Sequence, residues 1–173
     1  QTTLVLVPSL NLLSQTLNEW AFATKDSFDV LCVCSDKTVG KRDKEDMALG
    51  EAPFSVTSDL TDISDFLSGD GHKVIFCTYQ SSDLIAEVQL DKFIEPFDLV
   101  IADEAHRCSG KSDAAFSKVL DGEAIRATKR LFTTATPRLY SSSVKKAAAD
   151  RGVEVYGMDD EAVFGPVLHT LTF

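Results

Sequence analysis

Residues 99–106, LVIADEAH, join four consecutive apolar side chains to two adjacent carboxylates and a histidine. An apolar run without polar alternation predicts a strand buried on both faces, as in a parallel sheet covered by helices. The acids then fall at the carboxyl end of that strand, where open α/β sheets bind their ligands.

Outward from this segment, strand-like and helix-like runs alternate. Upstream, TLVLVP reads as a short buried strand, and SLNLLSQTLNEWAF as a helix with Leu10, Leu13, Leu17 and Trp20 on one face and Ser9 as its N-cap. FDVLCVCS, PFSVTS and KVIFCTY read as strands, and DISDFLSGDG and SSDLIAEVQL as helices. Downstream come a short helix AAFSKVL, a strand RLFTTATP and a helix SSSVKKAAADRG with Gly152 at its stop. The tail EAVFGPVLHTLTF suggests a turn at Gly165-Pro166 and a closing strand, with His169 packed. The alternation predicts an α/β fold, a parallel sheet sandwiched by helices.

The chemistry gathers at strand ends. Asp103 is placed to hold Mg²⁺, which takes oxygen ligands and keeps several waters. Glu104 is placed to orient or deprotonate a water aimed at a terminal phosphate. An acidic turn closing a strand is the plain alternative. TTATP, residues 133–137, adds a hydroxyl-rich strand end suited to hydrogen bonds with a neighbouring strand's carboxylates and histidine. Residues 105–112, AHRCSGKS, fit a loose phosphate-loop pattern. His106 and Arg107 are bulky where such a loop needs glycine, so Lys111 reads as a solvated lysine.

DEAH followed by TAT resembles the first RecA-like motor domain of superfamily-two helicases and translocases. LVLVPSLNLLSQ, SVTSD and FCTYQSS resemble that family's strand-end segments that touch nucleic acid, and DEAHRCSG with MDDEAVFGPV resembles the motor of restriction enzymes. The resemblance implies ATP and Mg²⁺ as cofactors, with Asp103 holding the metal and Glu104 catalytic. It implies that His106, Thr134, Ala135 and Thr136 couple nucleotide state to nucleic acid. It puts Pro8, Ser9, Thr57, Thr78, Tyr79 and Gln80 at a nucleic-acid groove, with double-stranded DNA the favoured partner. Tyr79 reads equally as a packed or a stacking ring, and Trp20 reads as core.

The resemblance further implies that residues 1–152 are a partial motor domain, incomplete at the N-terminus, and that residues 153–173 lead towards a second RecA-like domain. The family's phosphate loop is expected before TLVLVP and its arginine finger on the second domain, so the isolated chain is expected to be inactive. A non-catalytic binding module for nucleic acid or a partner is the alternative. A metal-dependent nuclease is disfavoured, because TTATP adds no further acid.

Composition narrows the rest. The 173 residues are 44% hydrophobic and 25% charged, sufficient for one core and unlike a disordered chain. No apolar run approaches the ~20 residues of a membrane-spanning helix, and no signal peptide opens the chain. With 17 basic against 27 acidic residues, the net charge of −10 argues against a freestanding nucleic-acid binder with a basic footprint. Cys32, Cys34, Cys77 and Cys108 lack zinc-site spacing, and the first three read as buried strand residues, consistent with the cytosol. The charged stretch 36–52 with KRDKED reads as a solvated loop, and His72 as an exposed turn residue.

Overall fold

The structure, a computed structural model, describes residues 1–23, 28–34, 55–109, 118–152 and 155–171. The KRDKED loop, Lys111 and most of AAFSKVL lie outside the described residues. The strands are β1 (Thr2–Val7), β2 (Asp29–Val33), β3 (Val56–Thr57), β4 (Lys73–Thr78), β5 (Phe97–Ala102) and β6 (Ala127–Phe132). They form one six-stranded sheet in the order β3-β2-β4-β1-β5-β6, and every pairing is parallel. The helices are α1 (Leu10–Ala23), α2 (Leu60–Ser68), α3 (Ser82–Val88), α4 (Ser142–Ala149) and α5 (Glu161–Phe164).

Strand periodicity divides the core into two layers. Leu4 and Leu6 join Ile75, Cys77, Val100 and Ala102 on one face, under Ile63 of α2 and Ile85 and Val88 of α3. Val5 and Val7 join Cys32, Val74 and Phe76 on the other, under Leu13 and Leu17 of α1. Successive side chains of one strand thus serve opposite layers, which is why these strands are apolar throughout. Trp20 is half-buried and packs against this second layer, on the side its spacing implied: its ring meets Phe76 edge-on, with centroids 5.6 Å apart.

Helix ends follow local chemistry. Ser9 starts α1, its carbonyl accepting from Leu13 N–H and its hydroxyl from Leu12 N–H. Asp59 caps α2 through Thr61 N–H at 2.7 Å, and that bond holds its carboxyl below the usual range. The ammonium of Lys73, a buried residue, donates to the Leu67 and Gly69 carbonyls at the end of α2. Burial, then the nearby Cys34, push the Cys32 thiol up to about 12; burial likewise raises Cys77. These are unreactive core residues.

The tail departs from its sequence reading. Residues 165–171 form no strand, and His169 is exposed rather than packed. The contact made instead comes from α5, whose Phe164 ring packs edge-on against Phe132 at the end of β6, centroids 5.1 Å apart. Apolar content makes a strand only where the segment pairs with a sheet, and residues 165–171 pair with none of the six strands.

Candidate functional site

Because every strand is parallel, the carboxyl ends of β1, β4, β5 and β6 share one edge of the sheet. Pro8 and Ser9 follow β1, residues 79–81 follow β4, Asp103 and Glu104 follow β5, and Thr133–Pro137 follow β6. The two motifs that carried the sequence reading therefore sit on adjacent strands. Ala102 pairs with Phe132, which brings Asp103 beside Thr133.

Asp103 is fixed on three sides. Its N–H donates to Leu6 O at 2.9 Å, its carbonyl accepts from the Tyr79 hydroxyl at 2.7 Å, and its Oδ1 accepts from Thr133 Oγ1 at 2.9 Å. Thr133 also donates its N–H to Ala102 O at 3.0 Å and accepts from Ala105 N–H at 2.9 Å. The sequence assigns these contacts to the hydroxyls of residues 133–137 as a group, and its coupling set of Thr134 to Thr136 leaves out Thr133, which the β5–β6 register brings to Asp103.

His106 lies on a 3₁₀ turn, Ala105–Cys108, and its Nδ1 is the hub of the site. It lies 3.0 Å from Thr134 Oγ1, 3.4 Å from Thr136 Oγ1 and 3.1 Å from Glu104 Oε2. Glu104 Oε2 is shielded from solvent and has no hydrogen-bond partner; His106 Nδ1, at 3.1 Å, is a close polar contact. The Glu104 side chain is 35% exposed and that of His106 17%, so the group borders solvent without being bathed in it. Ala135 is exposed, and no side-chain contact ties it to this group.

Glu104 stands at φ 51°, ψ 42°, and among the described residues it is the one non-glycine with positive φ. Left-handed backbone is unfavourable for a residue with a Cβ, by about 1–2 kcal/mol. Glu104→Gly is therefore expected to be more stable than Glu104→Ala by about 1 kcal/mol, reversing the usual order of the two residues. Paired urea melts check this; an alanine variant as stable as the glycine variant means that the turn is unstrained.

The remaining strand-end residues divide by exposure. Gln80 is exposed, Ser9 half-buried and Pro8 buried. Thr57 closes the start of α2, donating to Asp62 Oδ2 at 2.6 Å and accepting from Asp59 N–H at 3.0 Å. Thr78 is buried and donates to Ser81 Oγ at 3.1 Å. Tyr79 is fully buried, which decides between the packed and stacking readings in favour of packing. Of AHRCSGKS, the first four residues form the 3₁₀ turn and 110–112 lie outside the described residues.

The donor set fits magnesium bound chiefly by phosphate and water. Asp103 offers a carboxylate at the open edge of the sheet, and among the described residues no cluster of three or more His, Cys, Asp or Glu could hold a metal alone. Mg²⁺ in nucleotide sites takes one or two carboxylates, with the substrate and water supplying the rest.

Comparison with known proteins gives concordant results. The family profile described as "Type III restriction enzyme, res subunit" matches residues 1–139. A probable helicase, A859L, of African swine fever virus (isolate Tick/Malawi/Lil 20-1/1983) is 33% identical over 136 residues, 78% of this chain and 14% of the viral protein. Its counterpart from isolate Pig/Kenya/KEN-50/1950 is 32% identical over 136 residues, covering the same 78% and 14%. Among solved structures, the type ISP restriction-modification enzyme LlaGI, as a nuclease-deletion mutant in complex with a DNA substrate mimic, superposes with a TM-score of 0.70. It is 34% identical and is matched over 96% of this chain and 12% of its own. The ATP-dependent type ISP enzyme LlaBIII bound to DNA gives a TM-score of 0.67 at 35% identity, over 95% of this chain and 11% of its own. The chain thus spans a small part of each relative's length. Its all-parallel sheet is the RecA-like α/β fold of those restriction enzymes, and the chain belongs to the superfamily-two helicase family described as the type III restriction enzyme res subunit.

Proposed function

We propose that this chain forms part of the first RecA-like motor domain of an ATP-driven DNA translocase or helicase of the restriction-enzyme type. The observation that carries the proposal is the contact network at the ends of β5 and β6: Asp103 to Thr133 at 2.9 Å, and His106 Nδ1 within 3.4 Å of Glu104, Thr134 and Thr136. A purely structural acidic turn has no need of a histidine nitrogen within reach of a carboxylate and of two hydroxyls of the next strand.

Asp103 holds the magnesium of Mg-ATP, with Thr133 fixing the direction of its carboxylate. Glu104 orients the attacking water and takes its proton. Mg²⁺, when bound, neutralises charge that develops on the phosphoryl oxygens. His106 reads the position of Glu104 and passes it to Thr134 and Thr136, with Ala135 part of the same moving loop. Backbone and hydroxyl groups near Pro8, Ser9, Thr57, Thr78 and Gln80 accept the phosphates of double-stranded DNA without reading sequence. Tyr79 belongs to that segment through its backbone. Contacts of this kind need no basic patch, which reconciles the net charge of −10 with a nucleic-acid partner.

Residues 1–152 make up the partial motor domain in this reading, and 153–173 lead towards a second RecA-like domain. Reduced, buried cysteines accord with a cytoplasmic setting. The phosphate loop and the arginine finger belong to other parts of the motor; the finger alone is worth about 10³–10⁵ in rate in related systems. The isolated chain is thus expected to show no turnover at motor-like rates, and the full-length protein to release phosphate from ATP faster when duplex DNA is added. A malachite-green assay of both, with and without DNA, tests the reading. A full-length protein that binds DNA but releases no phosphate is a binding module, and brisk turnover by the isolated chain contradicts the division of labour.

A further inference from the structure

Tyr79 is the first residue after β4, on the 3₁₀ turn Tyr79–Ser81, and its side chain is 0% exposed. Its hydroxyl donates to the main-chain carbonyl of Asp103 at 2.7 Å. That bond does not join neighbouring strands. β1 lies between β4 and β5, so the two backbones stand about 9–10 Å apart, two strand spacings. The tyrosine spans the end of β1 to reach the carboxylate turn.

The carbonyl it holds belongs to the peptide between Asp103 and Glu104, where the chain enters its left-handed residue at φ 51°. Backbone strain of this kind persists only where the surroundings over-determine it. Three elements do so here: β1 through Leu6 O, the end of β6 through Thr133 O, and β4 through the Tyr79 hydroxyl.

We infer that Tyr79 is a positioning residue for the proposed ATP site: its hydroxyl sets the peptide between the two carboxylates and ties their direction to the end of β4. The inference rests on the reading of Asp103 and Glu104 given above. It adds a third strand to the machinery, one whose next residue, Gln80, is exposed at the edge proposed to meet nucleic acid.

Tyr79→Phe removes one oxygen and keeps the ring. In the full-length protein it is expected to lower kcat for ATP about tenfold while KM for ATP stays within about twofold. It is also expected to speed deuterium exchange of the 103–107 segment about tenfold. Ser82→Ala is the matched comparison, because it deletes another buried hydrogen bond of the same turn without touching Asp103. That variant is expected to lose a similar amount of thermal stability and to keep kcat within about twofold.

Tyr79→Phe with wild-type kcat and exchange overturns the inference, as does a Ser82→Ala protein that loses as much kcat. A Tyr79→Phe protein that fails to fold overturns it too, since the residue is then a determinant of the fold. Glu104→Gln, assayed in parallel, separates the two levels. If Glu104→Gln still turns over, the site reading falls and takes Tyr79 with it. If Glu104→Gln is inactive and Tyr79→Phe is unaffected, only the role of Tyr79 falls.

Discussion

Glu104→Gln in the full-length protein is expected to lower ATP turnover about 10³-fold and to leave nucleotide affinity within about twofold. Glutamine keeps the length and shape of the side chain and one carbonyl oxygen facing His106. It cannot take a proton from water. The backbone at φ 51° remains as strained as before, so the turn and the Asp103 carboxylate beside it keep their places. Loss of kcat without loss of binding is the pattern of a group that acts only in the transition state. Asp103→Asn makes the contrast: a residue holding the metal of the substrate complex is expected to raise KM as well as lower kcat. Steady-state kinetics, with fluorescent-nucleotide titration in magnesium, read both quantities. Undiminished hydrolysis by Glu104→Gln leaves the carboxylates as the end of a strand and nothing more.

The fold was legible where a side chain's surroundings are dictated by its own strand. Leu4-Val5-Leu6-Val7 has no polar face because Leu4 and Leu6 fill one layer and Val5 and Val7 the other. A strand with two buried faces implies helices on both sides of a parallel sheet. Strand order was not legible, since pairing is a contact between distant segments; that β1 lies between β4 and β5 had to be seen. The site divides in the same way. DEAH and TAT announce themselves by residue type, but the bond from Thr133 to Asp103 depends on register, and that from Tyr79 to Asp103 on a side chain crossing a whole strand. The 3₁₀ turn after β4 is what aims Tyr79 inward, and a strand-end tyrosine carries no local signal of it. Val167, Leu168 and Leu171 mislead in the opposite sense: they are apolar as a strand should be, yet exposed, with no strand formed.

The largest effect on stability is expected from Phe97→Ala. Phe97 opens β5, is 0% exposed and lies in the layer that also holds Val100 and Ala102. Its N–H donates to Arg126 O at 3.0 Å and it pairs with Ala127, so it anchors the start of the β5–β6 ladder whose far end joins Asp103 to Thr133. Removing a buried phenyl ring leaves a cavity that close-packed neighbours fill only partly, and the loss runs to about 3–5 kcal/mol. Against a total of about 5–15 kcal/mol for a domain, that is a large fraction of the whole. Phe93, only four residues earlier, is 94% exposed. Phe93→Ala removes the same atoms from water rather than from the core, and its effect is expected within about 0.5 kcal/mol. Urea denaturation of both variants decides the matter: the midpoint falls steeply for Phe97→Ala and holds for Phe93→Ala, at similar m-values. Equal losses contradict the placement of Phe97 inside the sheet's helical cover. A Phe97→Ala protein that is less stable but keeps its kcat, assayed in the full-length enzyme well below the melting temperature, shows that the strand's far end holds the carboxylates in place without help from its base.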